Sequence, residues 1–217
     1  MNQRAKDLLK KGASELGLEL TPAQLNALDL FAEELKKWNR KINLTAITDD
    51  EGIAVKHLVD SLSLLKAVHG PGRMLDIGSG GGFPGIPVKV VQPDLEIVSV
   101  DAVVKKISFQ KQAVRLLNLV GFDALHVRAE TLAAQYAGHF DWVVSRAFSD
   151  IPSFVAMALP VLKDGGRIVA MKGKSVAEEV TAAEAELEKL GARVECRHDF
   201  TLPGSGDARS LVILVKK

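Results

Sequence analysis

The chain has 217 residues and a single cysteine, Cys196. An intramolecular disulfide and a cysteine-based metal site are therefore excluded, and a reducing, cytoplasmic setting is the simplest reading. Long apolar runs are also missing. None approaches the roughly 20 residues that cross a bilayer, so no membrane partner is expected. The first residues, Met1 to Asp7, carry an acid and no apolar stretch, so no secretory signal is visible. Charge of one sign is lacking as well. The net charge of +1 means that the whole molecule does not attract nucleic acid, and any such contact needs a local patch. Three basic clusters are available: Lys36-Lys37 with Arg40-Lys41, Lys105-Lys106 with Lys111 and Arg115, and Lys172 with Lys174. Most clusters of this kind are merely solvated faces. The 47% hydrophobic and 25% charged content is that of an ordinary globular protein, with length for one domain plus a smaller appendage. Nothing demands more than a monomer.

What is present begins with helices. Thr21-Pro22-Ala23-Gln24 is a helix start: a capping threonine, proline at the first helical position and glutamine at the third. Leu25, Leu28, Phe31, Leu35 and Trp38 then recur at helical spacing. Asn39 and Asn43 end that helix. A second apolar helix is expected from about Val55 to Val68. The breaker His69-Gly70-Pro71-Gly72 follows, which divides an N-terminal helical cap (residues 1–70) from a main domain (residues 71–217). The first 20 residues carry no recognisable motif.

From Arg73 onward β-type runs alternate with helical stretches. Strands are expected over Arg73–Ile77, Glu96–Val100, Ala124–Val127, Phe140–Ser145, Gly166–Met171, Arg193–Phe200 and Ser210–Lys216. Helices fit at Gly85–Val91, Val104–Leu119, Ile151–Leu162 and Val176–Leu190. Such alternation predicts an α/β fold, a Rossmann-like parallel sheet with helices on both faces. The last two strands are separated only by the short loop Thr201–Arg209, so they should pair antiparallel. A mostly parallel seven-stranded sheet ending in an antiparallel hairpin is the arrangement of class I methyltransferases that use S-adenosylmethionine.

Ligands of such sheets bind beyond the carboxyl ends of the strands. The first tip offers Asp76 and the glycines 78, 80, 82 and 85. The second offers Asp101, twenty-five residues after Asp76. Glycines let backbone N–H groups approach a nucleotide-like ligand, and an acid on the next strand can hold ribose hydroxyls. The third tip gives Arg128-Ala129-Glu130, the fourth Ser145-Arg146-Ala147-Phe148, and the fifth Lys172-Gly173-Lys174. Two cofactors compete for this pattern. The spacing Gly80-x-Gly82-x-x-Gly85 suits a nicotinamide dinucleotide. Three details favour S-adenosylmethionine. Asp76 is placed to hold an ammonium. Pro84 and Pro87 remove N–H donors that a pyrophosphate would want. The C-terminal hairpin is the third. Asp76 also reads as a loop cap, and Asp101 and Glu130 as acids at helix starts.

Five segments together resemble the bacterial RsmG family, formerly glucose-inhibited division protein B. They are Trp38-Asn39-x-x-Ile42-Asn43-Leu44-Thr45, His57-x-x-Asp60-Ser61, Asp76 to Pro87, Ser145 to Phe148, and Lys172-Gly173. The resemblance runs from about Trp38 to the C-terminus. It implies methylation of N7 of one guanine in 16S ribosomal RNA of the small (30S) subunit, with S-adenosylmethionine as donor. By motif, Gly78 and Phe83 would line the cofactor, Ala129 and Glu130 would flank its adenine, Asp101 would hold the ribose, and Arg146 would also touch it. Gly80-Gly81-Gly82 stands where many members have Gly-Pro-Gly, a looser turn.

The chemistry suits the residues. Guanine N7 has a lone pair and no proton, so its methylation needs alignment and no general base, and alignment alone can supply roughly 7–11 kcal/mol. No Asn-Pro-Pro-Tyr motif for an exocyclic amine is present, and Cys196 lies far from the fourth and fifth tips. Arg146 and Lys172 are the candidate catalytic groups: Arg146 to orient cofactor and substrate, Lys172 to bind phosphate beside the target. Phe148 reads either as a stacking platform or as core, and His57 with Asp60 as a hydrogen bond within the cap. The acids Glu178, Glu179, Glu184, Glu186 and Glu188 are expected on a solvated helix face. A small-molecule methyltransferase, a nicotinamide-dependent oxidoreductase and a non-catalytic ribosome-assembly factor are the alternatives.

Overall fold

β-Branched and aliphatic runs build a seven-stranded sheet: β1 (Gly72–Ile77), β2 (Leu95–Asp101), β3 (Phe122–His126), β4 (Phe140–Ser145), β5 (Leu162–Lys172), β6 (Ala192–Thr201) and β7 (Ala208–Lys216). The computed structural model describes every residue except Ala147, Ser149 and Ser175. The spatial order is β3-β2-β1-β4-β5-β7-β6. Strands β1 to β5 pair in parallel, whereas β7 runs antiparallel to both β5 and β6. This is the expected parallel sheet with its terminal hairpin. In β1, Met74 to Ile77 are all buried, as befits a parallel strand covered on both faces. The strand order reverses between β1 and β4. That switch point opens a crevice at the carboxyl ends of the strands, and there the site must lie.

Three helical elements precede the sheet. Helix α1 (Gln3–Glu15) falls within the stretch expected to be helical, although no motif marks its bounds. Helix α2 (Pro22–Ile42) starts as expected: Thr21 and Gln24 form a reciprocal capping box. It ends at Asn43, whose φ of 39° is left-handed. The helix expected over Val55–Val68 is a composite run, α3 (residues 50–66), and it starts earlier. Asp49 caps it, residues Ile53–Val59 are wound as wider π turns, and Ser63–Lys66 tighten into a 3₁₀ turn. In the π segment every residue except Lys56 is buried, because α1 and α2 pack against it and His57 stacks on Phe83 of the glycine loop. A Cβ on Gly12 of α1 would come within 2.8 Å of Val59, so this packing needs glycine.

The helices between strands are α4 (Gly85–Val91), α5 (Val104–Leu116), a short α6 (Ala133–Tyr136), α7 (Ile151–Ala158) and α8 (Val176–Lys189). Helix α7 is shorter than expected, because Leu159–Val161, which includes Pro160, forms a 3₁₀ turn into β5. One apolar core joins the cap to the sheet: Leu28, Phe31, Leu58, Phe109, Met74 and Ile97 belong to a single buried cluster. A second cluster, with Leu75, Val143, Phe154 and Leu187, fills the other side. Among the described residues no helix is long and apolar enough to cross a membrane.

Candidate active site

The turn after β1 is fixed from below. Gly78 and Ser79 donate backbone N–H bonds to Val100 O (2.9 and 3.2 Å), tying the loop to β2. Gly80 N donates to Asp101 Oδ2 at 2.9 Å. A fully buried amide on α5, Gln110, donates to Ser79 Oγ and Gly80 O (both 2.8 Å) and accepts from Ser99 Oγ (2.7 Å). Gly82 has φ 81°, and a Cβ there would lie 2.4 Å from Ile86. The glycines thus serve a tight, internally bonded loop in which only Gly78 and Gly80 are partly exposed, and there the backbone can approach a ligand.

Asp76 lies beneath this loop with no exposed surface. Its Oδ2 accepts from Gly85 N at 3.0 Å, while its Oδ1 has no partner among the described residues. Burial, opposed by the Gly85 bond and the Arg146 charge, pushes its carboxyl up to about 8. The loop-cap reading and the ammonium-binding reading of Asp76 are therefore compatible: one oxygen is used, one is spare. The bond to Gly85 also occupies the first N–H of α4, the group on which a dinucleotide pyrophosphate would depend.

Beside the loop a cleft of about 360 Å³ opens at the tips of β1, β2 and β3. Gly78, Asp101, Ala129, Glu130, Phe148 and Met157 line it. Asp101 also accepts from Val103 N at 2.9 Å, so it organises the start of α5 as well as the cleft wall. The Phe148 ring stacks on Phe154 (centroids 5.2 Å apart), placing it in the wall rather than free in solvent. Gly80, Gly82 and Phe83 do not line this cleft. They stand behind it, Phe83 buried against Phe31 (5.3 Å) and stacked on His57 (4.5 Å).

A second cleft, also of about 360 Å³, lies toward β4, β5 and the cap. Lys56, Arg146, Lys172 and Arg209 give it a cationic rim around Asp60. Arg146 lies over the Phe83 ring (5.2 Å) and donates to Asp60 Oδ2 (3.2 Å), Lys56 O (3.3 Å) and His57 Nδ1 (3.3 Å). Arg209 of β7 donates to the other Asp60 oxygen at 2.6 Å. An arginine can only donate, so His57 accepts at Nδ1 and its Nε2–H points to Thr45 Oγ1, 2.7 Å away. Burial, then the neighbouring Arg146 charge, lowers the His57 imidazole to about 4, which keeps it neutral in this role. His57 and Asp60 were expected to bond each other; instead both bond Arg146.

Lys172 Nζ donates to Phe148 O (3.0 Å) and pairs with Glu179 of α8 (2.7 Å). Glu179 is therefore not part of a solvated face: it anchors Lys172 and accepts from Ile151 N at 3.1 Å. Cys196 is exposed on β6. Ala147, within the Ser145 to Phe148 segment, lies outside the described residues. Sequence reasoning missed Gln110 and Arg209. Nothing local marks either one, since Gln110 reaches the glycine loop across 30 residues of chain and Arg209 reaches Asp60 across 149.

The sheet order, its terminal hairpin and the glycine loop over an acid define the class I S-adenosylmethionine-dependent methyltransferase fold. Solved structures agree. An S-adenosylmethionine-dependent methyltransferase from Aquifex aeolicus superposes with a TM-score of 0.59 at 15% identity, covering 85% of this chain and 98% of that one. M. jannaschii TYW2 in complex with AdoMet gives 0.59 at 12%, covering 73% and 75%. The sequence narrows the class. Residues 24–205 match the family model described as GidB, rRNA small subunit methyltransferase G, and the chain belongs to that family. It is 79% identical over 214 residues to "Ribosomal RNA small subunit methyltransferase G" of Geobacter sp. (strain M21), covering 99% of both chains.

Proposed function

We propose that this protein transfers a methyl group from S-adenosylmethionine to N7 of one guanine in the 16S ribosomal RNA of the small (30S) subunit, acting in the cytoplasm as a monomer. The observation that carries the reading is the meeting of two clefts at the β1–β4 switch point. One has acids suited to a nucleoside, the other a cationic rim suited to RNA phosphate, and Lys172 joins them through the Phe148 carbonyl.

The residues fit the donor. Gly78 offers backbone at the loop, Asp101 a ribose-binding carboxylate, and Ala129 with Glu130 the adenine edge. Asp76 holds the ammonium, directly or through water, with the oxygen that lacks a partner. Gly80, Gly82 and Phe83 act from behind, by shaping the loop and supporting Arg146. When bound, S-adenosylmethionine supplies a sulfonium-activated methyl group. The protein's share is placement. Arg146, held on three sides, orients the guanine against the donor, and Lys172 neutralises phosphate charge beside it. No side chain has to remove a proton, because N7 carries none. That fits a site in which Asp60 is tied to two arginines and His57 is held neutral.

The test is transfer of labelled methyl to small subunits that lack the modification. Label should appear in RNA as 7-methylguanosine, and Arg146→Ala should lose at least tenfold in kcat/KM with the fold intact. Label on small metabolites but not on RNA would overturn the reading.

A further inference from the structure

The segment Trp38 to Thr45 is not consumed by the methyl-transfer site, yet it builds a cavity of its own. Asn39 Oδ1 accepts from Leu44 N (2.6 Å) and Thr45 N (2.9 Å), and its Nδ2 donates to Thr45 O (2.9 Å). Thr45 Oγ1 accepts from Ile47 N at 3.0 Å and meets His57. The loop after α2 is thereby held open as the wall of a pocket of about 380 Å³. Its floor is apolar, from Leu35, Ile47 and Ile53, and its rim is polar, from Arg40, Asn43 and Thr48. No aspartate or glutamate lines it. Lys36 on the same rim is already paired with Glu33 and Asp50. The side chains of Arg40, Asn43 and Thr48 make no hydrogen bond or ion pair among the described residues. Ile47 lines both this pocket and the cationic cleft beside Arg146, so the two open next to each other.

We propose that this pocket takes an unstacked nucleotide of the substrate RNA strand, next to the guanine that is methylated. A flat apolar floor suits a base face, a free amide at Asn43 and hydroxyl at Thr48 suit a base edge, and an unpaired guanidinium suits the phosphate. A single strand laid from the cationic cleft across Ile47 reaches the pocket without leaving the surface. The loop then has two roles: its inner side steadies His57 and hence Arg146, and its outer side grips the strand. The proposal rests on the RNA reading above.

Two substitutions test it. Ala46→Trp fills the pocket from its rim, and Arg40→Ala removes the free cation; neither touches the Asn39 bonds. Both should raise KM for unmodified small subunits at least tenfold while leaving the melting temperature and the Kd for S-adenosylmethionine within twofold. In parallel, small subunits whose RNA carries 4-thiouridine should crosslink to residues 35–48 in the wild-type protein and not in Ala46→Trp. An unchanged KM in either variant, or RNA crosslinks that fall outside residues 35–48, overturns the pocket while the methyltransferase reading stands. Wild-type protein that transfers no methyl to subunits overturns the RNA reading, and the pocket with it.

Discussion

Gln110 and Asp76 show how single buried polar groups set this site. Gln110 satisfies two hydroxyls and a carbonyl under the glycine loop. Replacing it with leucine strands those partners, at about 1–3 kcal/mol for each group left unsatisfied. Gln110→Leu should therefore lower the melting temperature and raise KM for S-adenosylmethionine more than it lowers kcat; an unchanged KM would show that the loop holds its shape unaided. Asp76 makes a pH prediction. Its folded carboxyl lies near 8 against an ordinary value of 3.8, so the fold favours the protonated form. Stability from this group is complete below pH 4 and is lost as pH rises through 8. His57 acts in the opposite sense: lowered to about 4, it contributes stability above pH 6.5 that is lost as pH falls toward 4. Above pH 7 the unfolded His57 is also largely neutral, so the slope between pH 7 and 8 comes from Asp76 together with the Met1 ammonium, which, against desolvation, Asp29 and Glu33 hold above its usual value, and the Asp76→Asn comparison separates the two. The unliganded protein should melt lower at pH 8 than at pH 7, and Asp76→Asn should reduce that difference. If Asp76 meets the donor's ammonium as a carboxylate, binding near pH 7 releases a proton. Calorimetry in buffers of different ionisation enthalpy should record that release in wild type and not in Asp76→Asn.

At the scale of elements, the central contact is α3 against the tips of β4 and β7, through Asp60. Its carboxylate is nearly buried and bridges Arg146 and Arg209, each about a quarter exposed. Removing one partner of a buried pair costs about 3–5 kcal/mol, and the partial exposure of the arginines puts this case at the low end. Asp60→Asn should keep the fold, reduce kcat by about tenfold or more, and raise hydrogen exchange in residues 50–66; normal kcat with faster exchange would confine Asp60 to a structural role. The strands were legible as short β-branched and aliphatic runs that alternate with helical stretches, the first of them ending sharply at Ile77–Gly78. The start of β5 was not, because Asp164-Gly165-Gly166 reads as a turn although Leu162 pairs with Phe140. The bounds of helix α1 were not legible because its buried face is made of small residues, Ala5, Gly12 and Ala13, with Leu9 alone to mark it. The strand tips were readable as a set of positions. The Arg146–Asp60–Arg209 bridge was not, since its members stand 86 and 149 residues apart.

The whole molecule carries almost no net charge, so on the proposed reading its attraction for RNA comes from the cations at one end of the sheet. Many lysines elsewhere are already paired, as Lys36 with Asp50, Lys106 with Asp101 and Lys163 with Asp141. Binding should therefore depend on salt only as far as a few local cations dictate. With Lys56, Lys172 and Arg40 each neutralising one phosphate, the logarithm of affinity should fall with the logarithm of salt at a slope of about −2. A much steeper slope would mean a wider RNA footprint than the two clefts and the α2 pocket provide. The continuous core between the N-terminal helices and the sheet makes these cavities parts of one body, which would hold cofactor and strand in fixed relation on the proposed reading.

If aligned attack by a proton-free ring nitrogen is the whole chemistry, one measurement shows it directly. Small-subunit RNA from cells lacking this protein, incubated with the purified protein and methyl donor, can be reduced with borohydride and cleaved with aniline at 7-methylguanosine. One new cleavage, at a single guanine, is predicted. Methyl incorporation without that cleavage, at an exocyclic amine, a ring carbon or a ribose hydroxyl, would contradict it.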